Sequence, residues 1–381
     1  MATLFTRRTI RGLIGLWLLA LAPVVFAQDA AEVPKPLPPV EMRPSIRIGP
    51  LISSVPIGYS PAKMRHAYGF DLVSGTGTGQ TIAIVEAYGS PTLQADLNKF
   101  CTTFALPYIT VPIYYPQGIP PADPLWALET SLDVEWAHAI APGAKIIVVV
   151  AKSTLSTDLL GAVDFAVALG AKQVAMSWCT PEFNGVSYYD YHFNKPGVTF
   201  TAASGDSGAA VVWPAVSPYV VGVGGTHLVL DSVGNITSET GWSGSGGGIS
   251  LYQAKPTFQN GWQTATKRTT PDVSYNGDPA TGVAVYITNY YGQTGWLMCG
   301  GTSAGAPQWA ALFALVNAGR AVSLSSANSL LYAAGTANYS GNYRDIVSGY
   351  NGKYWAVARY DYVTGLGSPR ATSLVTYLRT H

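Results

Sequence analysis

The sequence predicts an α/β fold, a parallel β-sheet with helices on both faces, from two observations. Residues 80–86, 145–151, 173–178, 198–203, 220–223 and 283–287 are short, nearly unbroken apolar runs rich in β-branched side chains. Strands buried on both faces read this way. Between several of them lie helical patterns over residues 93–104, 125–139, 157–169 and 304–318. Strands alternating with helices give crossover connections and hence a parallel sheet. Composition fits a folded globule: of 381 residues 48% are hydrophobic, and Gly and Pro number 41 and 26. Only 11% are charged, against about 25% in an average soluble chain.

Taken in order, residues 1–27 carry Arg7, Arg8 and Arg11, then the apolar run 12–27 ending in Val25-Phe26-Ala27. This is the pattern of a secretory signal peptide. The run falls short of the roughly 20 residues that a spanning helix needs and contains Pro23. Arg7-Arg8 leaves a twin-arginine route open. The mature chain is therefore expected outside the cytoplasm, extracellular or periplasmic, with no membrane segment after cleavage. Residues 28–56 hold Pro34, Pro36, Pro38, Pro39, Pro44, Pro50 and Pro56 without helical or strand period and read as a leader or linker. A single domain is expected over residues 57–381, and a monomer. Net charge is +1 with no Lys/Arg run, which removes the electrostatic case for a nucleic-acid partner. Cys101, Cys179 and Cys299 are odd in number, and buried free thiols are expected. A single disulfide through Cys179 or Cys299 is the alternative.

Three local patterns carry chemistry. In Gly300-Gly301-Thr302-Ser303-Ala304-Gly305, a serine stands where a Gly-rich turn enters an apolar helix, with its hydroxyl near the positive helix end. A plain helix cap reads the same way. Glu129 and Asp133 lie four apart in a helical pattern beside Leu125, Leu128, Leu132 and Trp136, which places two like charges on one inward face. Asp206, in Ala203-Ser204-Gly205-Asp206-Ser207-Gly208, follows a buried strand, where α/β active sites collect. None of His66, His138, His192, His227 and His381 has the His-Gly-Thr context of the subtilisin base. A carboxylate is left as the base for Ser303.

With these motifs the chain resembles the sedolisin family, the serine-carboxyl peptidases of subtilisin-like fold, over about residues 57–369. Further matches are Tyr59-Ser60-Pro61, Arg65-His66-Ala67-Tyr68-Gly69, Leu132-Asp133-Val134-Glu135, Ala141-Pro142-Gly143-Ala144, Thr270-Pro271-Asp272-Val273 and Thr364-Gly365-Leu366-Gly367-Ser368-Pro369. The resemblance implies Ser303 as nucleophile, Glu129 as general base and acid, Asp133 as its orienting partner and Asp206 as oxyanion donor. Glu86 and Trp178 match positions that extend the network, and Ser177 with Gly246, Gly247 and Gly248 matches the walls of a peptide cleft. A carboxylic acid donates to an oxyanion only when protonated, so an acid-acting endopeptidase on protein or peptide substrates is implied.

The resemblance further implies one structural Ca²⁺, with Asp345, Asp361 and the carbonyls of Ile346, Val357 and Arg359 as ligands. Val357 and Arg359 stand where many members have Gly, and the loop is short. A second departure lies in front: residues 28–56 replace the large propeptide common in the family. A non-catalytic peptide- or glycan-binding protein on the same scaffold is the competing reading, prompted by that short leader and by 23 Tyr and 10 Trp.

Overall fold

The computed structural model describes residues 1–3 and 38–381, Ser326 excepted. Residues 4–27 of the signal peptide read over 1–27, and 28–37 of the leader, lie outside the described residues. Pro39–His381 forms one compact unit. Its central sheet is built from β1 (Thr81–Ala87), β2 (Ile113–Tyr114), β3 (Lys145–Ala151), β4 (Gln173–Met176), β5 (Thr199–Ala203), β6 (Val220–Leu230), β7 (Ile236–Gly241) and β8 (Val273–Asn276). The order is β7-β6-β5-β4-β1-β3-β2, with β8 also paired to β6. Every pair is parallel except β6 with β7.

Side chains of a strand alternate between faces, and the apolar runs divide accordingly. Ile82, Ile84, Ile146, Val148 and Val150 join one core, whereas Ala83, Val85, Ile147 and Val149 join the other. The first core holds α2 (Leu93–Phe104), α3 (Pro124–Ile140) and α5 (Ala306–Asn317); the second holds α4 (Ser156–Ala168). Three more helices are found among the described residues: α1 (Pro61–Tyr68), α6 (Ala327–Asn342) and α7 (Ala371–Thr380). Strand β1 lies between β3 and β4, and the chain runs outward from it in both directions. The carboxyl ends at such a reversal form a crevice, and Glu86, Ser177 and Asp206 all sit at or just past those ends.

Several expectations change. The run 283–287 belongs to an antiparallel hairpin, Val283–Tyr290 with Gln293–Gly300, and not to the parallel sheet. It is apolar because α2 and α3 pack on it. The run 173–178 stops at Met176, and Trp178–Pro181 turns off to pair with Val212–Trp213. Residues 39–56, read as a linker, contribute strands Arg43–Pro44 and Arg47–Ser53. The second of these joins the hairpin. Cys101, Cys179 and Cys299 are free thiols. No described helix is long and apolar enough to cross a membrane.

Where β8 enters the sheet, Arg268 makes a fork to Asp272 at 2.7 and 2.6 Å. Asp272 also accepts from the Tyr332 hydroxyl and the Gly222 amide. Both charged side chains are fully buried, so removing one strands the other in low dielectric. Arg268→Ala is expected to cost about 3–5 kcal/mol, read as a lower urea midpoint; a change within about 0.5 kcal/mol contradicts the role given to this pair.

Candidate active site

Helix α3 begins with a firm cap: the Asp123 carboxylate accepts from the Leu125 and Trp126 amides, both at 3.0 Å, and Pro124 opens the first turn. From Trp126 to Ile140 every residue is buried, because α2, α5 and the hairpin surround the helix. Glu129 and Asp133, one turn apart, are both 0% exposed. Asp133 accepts the Ser177 hydroxyl at 2.9 and 2.7 Å. Glu86, also 0% exposed, ends β1 and interacts with Asp133. Ser303 lies on the tight turn Thr302–Ala304 just before α5. Its hydroxyl donates to the Ser177 carbonyl at 3.2 Å. In this rotamer both Glu129 oxygens lack a partner of good geometry, yet the hydroxyl is near enough to favour ionised Glu129.

Burial is the largest influence on these acids. It raises Glu86, Glu129 and Asp133 well above the usual carboxylate range. Repulsion from Asp133 adds to the rise at Glu86 and Glu129, while the Ser177 hydroxyl opposes it at Asp133. Three such groups cannot all ionise together, so they share protons as a unit.

Asp206 is also held inside. Its Oδ1 accepts the Thr302 amide at 2.8 Å and the Thr302 hydroxyl at 2.9 Å. Its buried Oδ2 has no hydrogen-bond partner; the Arg47 Nε lies 3.7 Å away. Burial pushes the carboxyl up to about 7, against the opposing bonds from Thr302 and the charge of Arg47. Gly301 keeps the adjoining space open: at φ +93°, a Cβ would come within 2.2 Å of the Ser45 oxygen and 2.6 Å of Asp206 Oδ2. The Ser303 amide donates into that space, to the Ser45 carbonyl, at 3.1 Å. A cavity of about 600 Å³ adjoins it, walled by Cys179, Thr180, Pro181, Gly205 and Asp206 together with leader residues.

The structure thus brings together Ser303, Glu129, Asp133, Asp206, Glu86 and Ser177. Trp178 is adjacent, but its indole N–H donates to the Val85 carbonyl at 2.8 Å and not to a carboxyl. Gly246, Gly247 and Gly248 are buried and do not line the cavity beside Asp206. A Cβ on Gly246 would fall 1.9 Å from the Ser204 oxygen, and one on Gly247 would fall 2.2 Å from the Tyr362 oxygen. Their smallness lets the neighbouring backbone approach this closely. Sequence reasoning missed Thr302, whose place beside Ser303 was a usable signal, and Ser45 and Arg47, for which the leader offers no motif.

The C-terminal loop does not suit a calcium ion as it stands. Asp345 accepts the Arg359 amide at 2.9 and 3.1 Å and the Tyr339 hydroxyl at 3.0 Å. Asp361 accepts the amides of Val357, Val363 and Thr364 and the Thr364 hydroxyl. Val357 and Arg359 therefore turn N–H groups, not carbonyls, toward the acids, and the Arg359 carbonyl shares the one Tyr339 hydroxyl hydrogen with Asp345, each oxygen 3.0 Å from the hydroxyl. A hard cation takes oxygen donors only.

The subtilase family model matches residues 127–340, a span that includes Glu129, Asp206 and Ser303. Kumamolisin of Bacillus sp. (strain MN-32) is 34% identical over 86% of this chain and 64% of its own length. The chain belongs to the sedolisin family. Sedolisin of Pseudomonas sp. (strain 101) is 32% identical over 55% of this chain and 40% of its own length. A solved structure of Pseudomonas sedolisin, a serine-carboxyl proteinase complexed with two molecules of pseudo-iodotyrostatin, has a TM-score of 0.75 and 28% identity. It covers 86% of this chain and all of the solved one. This sedolisin-family chain spans less than two thirds of the curated relatives' length.

Raised carboxyl pKa values also govern stability. Between the unfolded value of about 4 and the raised folded values, about 7 at Asp206, the folded chain holds protons that the unfolded chain has released. The stability these carboxyls contribute is then fullest below about pH 4 and is lost as pH rises through the folded values. The melting temperature is expected to fall between about pH 4 and pH 7.5; a rise over that interval contradicts the assignment.

Proposed function

We propose that this chain is an exported, acid-acting serine-carboxyl endopeptidase that cuts peptide bonds through an acyl-enzyme on Ser303. One observation carries the reading: a carbonyl oxygen rests on the Ser303 amide, beside a buried Asp206 oxygen with no partner. Behind the hydroxyl stand Glu129, Asp133 and Glu86, all at 0% exposure. Family membership and the signal-like N-terminus support it.

The chemistry follows from where the protons lie. Ser303 turns its hydroxyl from the Ser177 carbonyl to Glu129 and gives up the proton as its oxygen attacks the substrate carbonyl. The oxyanion is met by the Ser303 amide and by protonated Asp206, whose other oxygen is fixed by Thr302. Glu129 passes the proton to the leaving amine. Water then enters by the same relay and releases the acid product. Asp133, fixed by Ser177, orients Glu129, and Glu86 lets the group keep some protons and lose others. Acid pH supplies the protonated Asp206, and the shared protons let Glu129 act as base while its neighbours stay neutral.

Hydrolysis of a denatured protein between about pH 3 and pH 8 tests these roles. Ser303→Ala is expected to lower the rate about 10⁴–10⁶-fold and Glu129→Gln about 10²–10⁴-fold. Asp206→Asn keeps a donor at every pH, so the rate falls up to about 10²-fold and the alkaline limb near pH 7 disappears. Wild-type activity in Ser303→Ala, or an unchanged limb in Asp206→Asn, defeats the corresponding role.

The loop around Asp345 and Asp361 forms a separable part of the proposal: closure by Tyr339, without a calcium ion, is favoured there. A bound ion would displace the amides of Val357 and Arg359 and the Tyr339 hydroxyl from the carboxylate oxygens of Asp361 and Asp345. Added calcium and chelator are accordingly expected to leave the melting temperature unchanged within about 1 °C, while Tyr339→Phe lowers it by roughly 2–4 °C. A clear rise with calcium would establish the ion and reject the tyrosine closure.

A further inference from the structure

A cavity of about 480 Å³ lies where residues 262–264 meet residues 353–362, and no residue of the catalytic cluster lines it. Half of the residues that wall it are aromatic: Trp262, Tyr354, Trp355, Tyr360 and Tyr362. Trp355 is 66% exposed, and Val357, also in the wall, 51%. Trp355 lies against Tyr350 with ring centres 4.5 Å apart, and Tyr354 meets Tyr362 edge-on at 5.0 Å. The turn beneath them is pinned. The Asn351 side chain accepts the Tyr354 amide at 3.0 Å and donates to the Ser245 carbonyl at 3.1 Å. Large apolar groups gathered on a fixed frame and left open mark a binding surface.

The polar groups of the wall narrow what can sit there. Gln263 is 8% exposed, and its Nε2 donates to Gln259 Oε1 at 3.3 Å and to the Lys267 carbonyl at 3.2 Å. Two acceptors on that side fix which end of the amide is nitrogen. The buried Oε1 at the other end has no hydrogen-bond partner among the described residues, so the wall lacks a donor. Asp361 has its acceptors filled by Val357, Val363 and Thr364. Two cations of the chain already lie on the rings, Lys353 Nζ 5.3 Å from the centre of Tyr354 and the Arg359 guanidinium 4.7 Å from that of Trp262.

We infer that this cavity is a saccharide site, separate from the peptide cleft. A further cation would be repelled by Lys353 and Arg359, which hold the ring faces it would use. An anion brings acceptors to an oxygen that lacks a donor. A proline-rich peptide, the usual guest of an aromatic groove, carries no N–H at its prolines. A neutral sugar ring meets every condition: its C–H face lies on aromatic walls, and its hydroxyls both donate and accept. One hydroxyl supplies the donor for Gln263, and Trp355 covers the ring. The same chemistry is offered by a glycan on a protein substrate and by a free polysaccharide. The frame of the site also reaches the cleft wall, since the Ala209 amide, three residues past Asp206, donates to the Asn351 carbonyl at 2.9 Å. A sugar held here therefore keeps whatever carries it beside the peptide cleft.

Binding is tested on the full chain carrying Ser303→Ala, by saturation-transfer NMR and tryptophan fluorescence. The probes are hexaoses of glucose, mannose and N-acetylglucosamine, set against hexalysine, inositol hexaphosphate and decaproline. At least one hexaose is expected to bind saturably with a Kd of about 0.1–1 mM. Trp355→Ala, at an exposed position, should weaken it about tenfold, and Trp355→Phe should restore most of the loss. Gln263→Leu, shown folded by circular dichroism, should weaken it about three- to tenfold. No binding by any hexaose at about 10 mM, binding unchanged in Trp355→Ala, or tighter binding of one of the other probes overturns the inference. Turnover of an unglycosylated denatured protein should be equal in wild type and Trp355→Ala; a loss there places Trp355 in the cleft and overturns the separate site. A KM several-fold lower for a denatured glycoprotein than for the same protein stripped of its glycans, in wild type only, assigns the sugar to the substrate. Retention on insoluble cellulose or chitin without that change assigns it to a polysaccharide. Absence of all turnover rejects the peptidase reading and leaves the binding result standing.

Discussion

Everything at the site depends on keeping four carboxyls out of water. Glu86, Glu129 and Asp133 are 0% exposed, and the Asp206 side chain is 4% exposed. Charge in such a place is costly unless it is paired, and no lysine or arginine pairs with the first three among the described residues. The molecule meets the constraint with protons and hydroxyls. Ser177 binds Asp133, Thr302 binds Asp206, and the remaining oxygens are left to share what protons there are. That is why α3 is wrapped on every side: a helix with one wet face would ionise its acids and lose the reservoir.

Much of this was legible beforehand, for identifiable reasons. Residues 145–151 are apolar on both faces because both faces are covered, so that strand is read to the residue; strand β6 runs seven residues past the apolar run 220–223. Helix α2 matched residue for residue as well. The run 283–287 misled because a hairpin strand under helices is as apolar as a central strand. Helix α6 escaped because its Asn, Ser, Gly and Thr content hides the period, and its backbone breaks at Asn338. At the site, motif residues were legible because chemistry restricts which side chains can stand there. Contacts made by main-chain atoms, such as those of Ser45, leave no mark on side-chain identity. Nor did spacing show that Trp178 would turn its N–H to Val85, since a buried indole takes whichever acceptor is in reach.

The leader also resolves a problem of edges. Trp178–Pro181 leaves the parallel sheet and would otherwise present unpaired backbone beside the cleft, a surface ready for any extended chain. Pairing it with Arg43–Pro44 satisfies those groups with the molecule's own main chain. Val212–Trp213 covers the other side, so recognition is confined to one strand-wide slot. The sparse surface charge fits such a slot, because main-chain bonds carry most of the docking and ask little of neighbouring side chains.

Gly301 gives this slot its finest dimension. The place its missing methyl would take is the same place where a peptide oxygen and an Asp206 oxygen converge. One carbon atom fixed there by the chain would act as a permanent tenant, holding the pocket against every visitor with no affinity to overcome and no off-rate. The converse applies to ligand design: a small molecule need place only one polar atom in that methyl-sized volume to compete with everything the cleft is shaped to receive.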